Sequence, residues 1–180
     1  MKTAIRAITI LLLALCGVAT VQAAQHQPPT EALNFWVSNA EREIVPAAEA
    51  MPEEKYSFAP AGPGFAGVRT FAEQIKHLAA NNYAMCARMA GRKPTPDQES
   101  ETGPESVRSK AEIVDYLKGS FEALHKSVAA LEEKDLTVLT DGKHTPVWLV
   151  IDAVSHSYNH YGQIVEYLRA NNIIPPASRK

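Results

Sequence analysis

The sequence predicts an all-α protein, a four-helix bundle with a long loop between the second and third helices. Three observations carry that expectation. Apolar residues recur at three- and four-residue steps in four separate stretches, a helix-capping residue stands ahead of each, and no run shows strand alternation. Helices joined by turns bury their apolar stripes against one another, and an antiparallel bundle is the expected arrangement.

Residues 1–23 stand outside the fold and read as a secretory signal peptide. Lys2 and Arg6 form a positive start, Ala7 to Val21 is apolar, and Val21-Gln22-Ala23 supplies small residues ahead of a cleavage site. An uncleaved N-terminal anchor is the competing reading. Leu15 ahead of Cys16 is too bulky for a lipid-attachment site. The expectation is an exported, periplasmic or extracellular protein whose domain spans residues 24–180. Removing residues 1–23 makes the charge more negative by two cations and leaves Cys86 as the single cysteine, so no internal disulfide forms.

The first helix is expected from Thr30, with Leu33, Trp36, Val37, Ile44 and Ala47 in phase, Glu31 in the first turn, and Pro46 kinking or ending it near there, with Pro52 the outer limit. Residues 52–67 are rich in proline and glycine and should be irregular. The second helix opens on the capping box Thr70/Glu73, carries Phe71, Ile75, Leu78 and Met85 on one face, and should stop near Gly91. A long polar stretch, 91–109, is either a crossover connection or a flap. Ser109 and Glu112 cap the third helix, in which Ile113, Leu117, Phe121, Leu124 and Val128 keep the period. Asp141-Gly142 marks a turn, and Thr145-Pro146 opens a fourth helix running to about Asn171. That helix is apolar nearly all round, so burial on several sides is expected.

The whole chain has 180 residues, 21% of them charged and 46% hydrophobic, an ordinary globular balance sufficient for one core. A formal charge of −2 without a basic run excludes an electrostatic footprint for nucleic acid. No hydrophobic run of about twenty residues follows the leader, so no membrane association is expected after cleavage. A homodimer is compatible with a bundle, although no exposed stripe demands one.

His156 and His160 lie four apart on the fourth helix, so their side chains share a face about 6 Å apart. Two imidazoles so placed can bind one ion; the competing reading is a half-buried pair hydrogen-bonded to a loop. Gly162 inside that helix suggests close approach of a neighbouring helix. His77 falls mid-way along the second helix beside Glu73, Asn81 and Ala84, where the bundle can bring it opposite the fourth. Three imidazoles would leave positions on the ion for water or a small-molecule ligand. Glu73, Asp152, Tyr158 and Tyr161 are the nearby proton-handling candidates, none marked by spacing as a base, so the catalytic residues are unknown. His125 and His144 read as solvated or capping residues. Cleavage after Ala23 would expose Ala24-Gln25-His26, whose amine, amides and imidazole suit copper or nickel; cleavage one residue later would destroy that motif.

The segments Met51 to Phe58, Val68 to Ala79, and His156-Ser157-Tyr158-Asn159-His160-Tyr161-Gly162-Gln163-Ile164 resemble the DinB-like (damage-inducible protein B-like) metal-binding four-helix bundles over residues 30–175. The resemblance implies the bundle fold and one divalent metal ion, commonly zinc or nickel, held by His77, His156 and His160. Tyr161 stands where members often carry Arg or His. Three functions are open at this point: a metal-binding protein of unassigned reaction, a metal-dependent hydrolase or thiol-transferase-like enzyme, and a non-catalytic bundle stiffened by metal.

Overall fold

A computed structural model describes residues 27–179. The leader and the Ala24-Gln25-His26 motif lie outside the described residues. Four long helices form: α1 (Pro29–Ala50), α2 (Phe71–Met89), α3 (Lys110–Ala129) and α4 (Pro146–Ala170). No strand occurs among the described residues, and no helix there is long and apolar enough to cross a membrane.

Local chemistry explains the helix ends. Pro29, not Thr30, opens α1, because its fixed φ suits the first helical position and its missing N–H is no loss there. The helix runs through Pro46, with Ile44, Ala47 and Ala48 fully buried around it, and stops where extended Met51 precedes Pro52. The helix thus continues one turn past Pro46 and ends inside the outer limit that Pro52 sets. In α2 the Glu73 amide donates to Thr70 Oγ1 at 3.2 Å while the Thr70 amide donates to Glu73 Oε2 at 2.7 Å, completing the capping box. Gly91, with φ +65, closes α2. The Arg92 amide donates to the Ala87 carbonyl and the Gly91 amide to Arg88, a Schellman ending. Ser109 and Thr145 cap α3 and α4 as the sequence predicts. The irregular linkers contain only short 3₁₀ turns, among them Glu53–Lys55 and Pro96–Glu99.

The helices are not antiparallel to every neighbour. Tyr56 and Phe58, which follow α1, hydrogen-bond the start of α2. Lys110 at the start of α3 reaches the Met51 carbonyl, and Tyr167 near the end of α4 bonds the Arg69 carbonyl. The ends of α1 and α4 therefore share one pole with the starts of α2 and α3. The order is up, down, down, up, with α1 packed on α3 and α4, and α2 on α3 and α4. Because α2 and α3 run parallel, their connection must travel back along the bundle, so 90–109 is a crossover strap rather than a flap.

Phe71, Ile75 and Leu78 of α2, Leu117, Phe121 and Leu124 of α3, Ile44 of α1, and Leu149, Ile164 and Leu168 of α4 fill the core. Cys86 is buried and forms no disulfide among the described residues. The outer face of α4 departs from expectation: Trp148 and Ile151 are exposed, and Ile151 lines an apolar groove with Leu33 and Trp36 of α1. Gly162 departs too, since a Cβ there would meet nothing within 4 Å, so no neighbouring helix demands a glycine.

Candidate metal centre

The antiparallel α2/α4 pair brings the three sequence-chosen histidines together. His77 and His156 Nε2 lie 3.1 Å apart, as do His160 and His156 Nε2. One nitrogen from each ring lies within 4.8 Å of the others. His160 is buried, whereas His77 and His156 are half-buried.

The opposite ring nitrogens fix the tautomers. His77 Nδ1 faces the Ser100 carbonyl at 3.3 Å, and a carbonyl only accepts, so that nitrogen carries the proton. His160 Nδ1 faces Gln74 Oε1 at 2.6 Å. The Gln74 amide donates to Gln163 Oε1 at 2.8 Å and the Gln163 amide to Asn159 Oδ1 at 3.1 Å, a chain that presents oxygen to His160. Both rings therefore turn bare Nε2 lone pairs inward. A single proton on His156 Nε2 could serve one of them, leaving the other lone pair against a lone pair. Such a donor set fits a cation, and nitrogens about 3 Å apart can share an ion at the usual nitrogen–metal distance of about 2.0–2.1 Å. His156 Nδ1 is buried without a partner among the described residues.

Electrostatics keep these rings neutral. Burial lowers the His77 pKa, with the Arg69 charge adding to it. Burial and then the neighbouring His77 take His156 down to about 4; burial and then His156 take His160 down to about 3. Neutral imidazoles, with one ring nitrogen bare, are the form a metal ion requires.

The sequence profile of the DinB superfamily matches residues 37–164, well over half the chain. The chain belongs to the DinB superfamily. No curated protein matches it. In this DinB-superfamily chain, none of the proton-handling candidates chosen from sequence hydrogen-bonds the three rings. The Glu73 carboxylate is consumed by the capping box. Tyr158 lines a groove with Leu33 and Trp36 against α1, and Tyr161 packs on the core near Glu43. The hydrogen bonds reaching the three rings from outside come from Ser100 and Gln74, none from Asp152.

His125 and His144 are more engaged than a solvated reading implies. His125 bridges Asn34 and Glu41 of α1, 3.0 Å to the latter, while His144 pairs with Asp141 at 2.7 Å and stacks on Trp148. Neither joins the metal cluster. Sequence reasoning missed Gln74, Ser100, Arg69 and Glu101. Gln74 alone carried a usable sign, a polar residue set between Phe71, Ile75 and Leu78 on the buried face. Ser100 acts through its backbone carbonyl, which leaves no trace in residue type. Arg69 and Glu101 form an ion pair that ties the α1–α2 linker to the strap beside His77.

Proposed function

We propose that this chain is an exported metal protein that holds one divalent ion, zinc or nickel, on Nε2 of His77, His156 and His160. The carrying observation is the convergence of three Nε2 atoms whose Nδ1 partners, Ser100 and Gln74, hold two of the rings with their lone pairs inward. When bound, an ion with three neutral ligands acts as a Lewis acid and lowers the pKa of a coordinated water toward neutrality. The protein's own part is orientation. Gln74 and Gln163 lock His160, the strap locks His77, and burial keeps all three rings neutral.

Three protein ligands favour a centre open to a small molecule over a closed structural site. A cleft of about 250 Å³ lined by His77 favours an enzyme over a bundle merely stiffened by metal. Among enzymes, metal-dependent hydrolysis suits an exported protein better than thiol transfer, whose low-molecular-weight thiols are mainly cytosolic. Export itself rests on the charged, apolar and small-residue regions of residues 1–23.

Elemental analysis of protein purified without chelators tests the metal. The wild type should carry about one ion per chain and His160→Ala far less; a wild type without stoichiometric metal would overturn the proposal. N-terminal sequencing of the protein from the periplasmic or culture fraction tests export. A chain starting near Ala24 is expected, and an intact Met1 confined to the cytosol would refute it.

A further inference from the structure

A glycine at 162 weakens α4, and packing does not require it, since a Cβ there would meet nothing within 4 Å. Gly162 instead floors a cleft of about 600 Å³ between α4 and the α1–α2 linker, a volume in the range of small-molecule sites. On the linker side stand Pro60, Phe65 and Val68, the last two among the exposed large apolar residues of the molecule. On the helix side Asn159, Gly162, Gln163 and Glu166 follow at i, i+3, i+4 and i+7, so they share one face. Asn159, Gly162 and Glu166 are exposed and Gln163 is half-buried, so a molecule in the cleft can reach them. A side chain at 162 would take up part of this space. Without one, bare helix backbone is left for a flat body to lie on.

The polar groups of the walls narrow the class. Glu166 already pairs with Arg169 at 2.8 Å, and the Tyr167 hydroxyl, also in the cleft, donates to the Arg69 carbonyl at 2.9 Å. The lining residues therefore hold no unmatched charge, and an ionic ligand would lose hydration there without gaining a counter-charge. Gln163 Oε1 accepts from Gln74, and Asn159 Oδ1 accepts from Gln163. Asn159 Nδ2 has no acceptor among the described residues, so the wall's remaining offer is an N–H donor.

We propose that the linker–α4 cleft is a binding site for a neutral, flat, apolar small molecule that carries a carbonyl oxygen. Its body lies between Gly162 and the Phe65/Val68 wall, and its oxygen accepts from Asn159 Nδ2. The three histidines take no part, so the site stands whatever the metal content. It adjoins the metal centre through Gln163, which also holds the Gln74 side chain that faces His160.

Prodan, a neutral naphthyl ketone whose emission moves to the blue on leaving water, tests this with the protein as purified. It should bind saturably, and NMR should show the Gly162 backbone amide and the Asn159 side-chain amide shifting along the same titration. No saturable binding, or shifts that leave both groups unmoved, would overturn the site. Gly162→Leu fills the cleft with a good helix former, so the variant should fold and bind Prodan about tenfold or more weakly. Wild-type affinity in that variant would refute the proposal. Ile151→Gln alters the separate α1/α4 groove and should leave affinity unchanged; a loss there instead would move the probe to that groove and overturn the assignment. Dimethylaminonaphthalene, which lacks the ketone, should bind about three- to tenfold more weakly than Prodan, a gap that Asn159→Leu should close. Equal binding of the two by the wild type would refute the carbonyl. Dimethylaminonaphthoate, with a carboxylate in place of the ketone, should bind at least about tenfold more weakly, and equal or tighter binding would overturn the neutral class. A dimer in sedimentation that Gly162→Leu dissociates would give this face to a second copy and overturn the small-molecule assignment.

Discussion

Replacing Gly103 with alanine separates the strap from the bundle more cleanly than any change in the histidines. Gly103 has φ +72, and a Cβ built on it would lie 2.3 Å from Lys76 Cβ and 2.9 Å from the Lys76 backbone carbonyl carbon. Carbon atoms pack at about 3.5–4.0 Å, so the strap must retreat by more than about 1 Å from a helix whose backbone cannot yield. That retreat takes the 3.3 Å contact between His77 Nδ1 and the Ser100 carbonyl, and the 3.0 Å bond from Lys76 Nζ to the Pro104 carbonyl, out of hydrogen-bonding range. The left-handed backbone adds about 1–2 kcal/mol for an L-residue, offset by about 0.4–1 kcal/mol of lost freedom in the unfolded chain. With the strap's hydrogen bonds included, Gly103→Ala should lose about 1–3 kcal/mol of stability. Metal affinity should fall about tenfold to a hundredfold, the usual effect of removing a partner that orients a ligand. Gly142→Ala is the control, because Gly142 has φ +79 but open space around its Cβ position. It should lose stability without losing metal. Competition against a chromophoric chelator, with hydrogen exchange over residues 97–108, reads both effects. Unchanged metal affinity in a folded Gly103→Ala protein would refute the claim that the strap orients His77.

Three further outcomes follow from the same geometry. Gln74→Leu removes the acceptor for His160 Nδ1 from a site only 2% exposed and should weaken metal binding about tenfold to a hundredfold, whereas Gln74→Glu should retain most of it; equal affinities in chelator competition would argue against the relay. Gly162→Ala should raise the urea midpoint by the equivalent of about 0.5–1 kcal/mol, since Gly162 lies inside α4 with open space at its Cβ position, and a loss of stability would expose an unseen constraint. Unfolded imidazoles bind protons near pH 6.5, whereas folded His156 and His160 do so only near 4 and 3, so the unfolded state holds more protons in between. The metal-free protein should therefore be flat in stability above about pH 7 and weaken steadily as pH falls from about 6.5 toward 4; a urea midpoint unchanged from pH 7 to pH 5 would contradict the neutral, buried rings.

The parts of this protein legible in its sequence are those set by neighbours along the chain. Thr70/Glu73, Ser109/Glu112 and Thr145-Pro146 mark helix starts because a cap is satisfied within three residues. The His156/His160 pair was legible for the same reason, since helical pitch alone puts the two rings on one face. Predictions that needed packing fared differently. Trp148 and Ile151 remain exposed although their residue types suggest burial.

Helix identity and the spacing of the histidine pair were thus determined by sequence alone. Tertiary structure decided the up-down-down-up order, and with it the site. A parallel α2 and α3 forces the connection between them to return along the bundle, and Gly103 lets it lie against Lys76. Only then does the Ser100 carbonyl meet His77, while the α2/α4 contact delivers Gln74 to His160. Those contacts join residues 23 and 86 positions apart, a separation no local pattern encodes, and they turn three histidines into one centre.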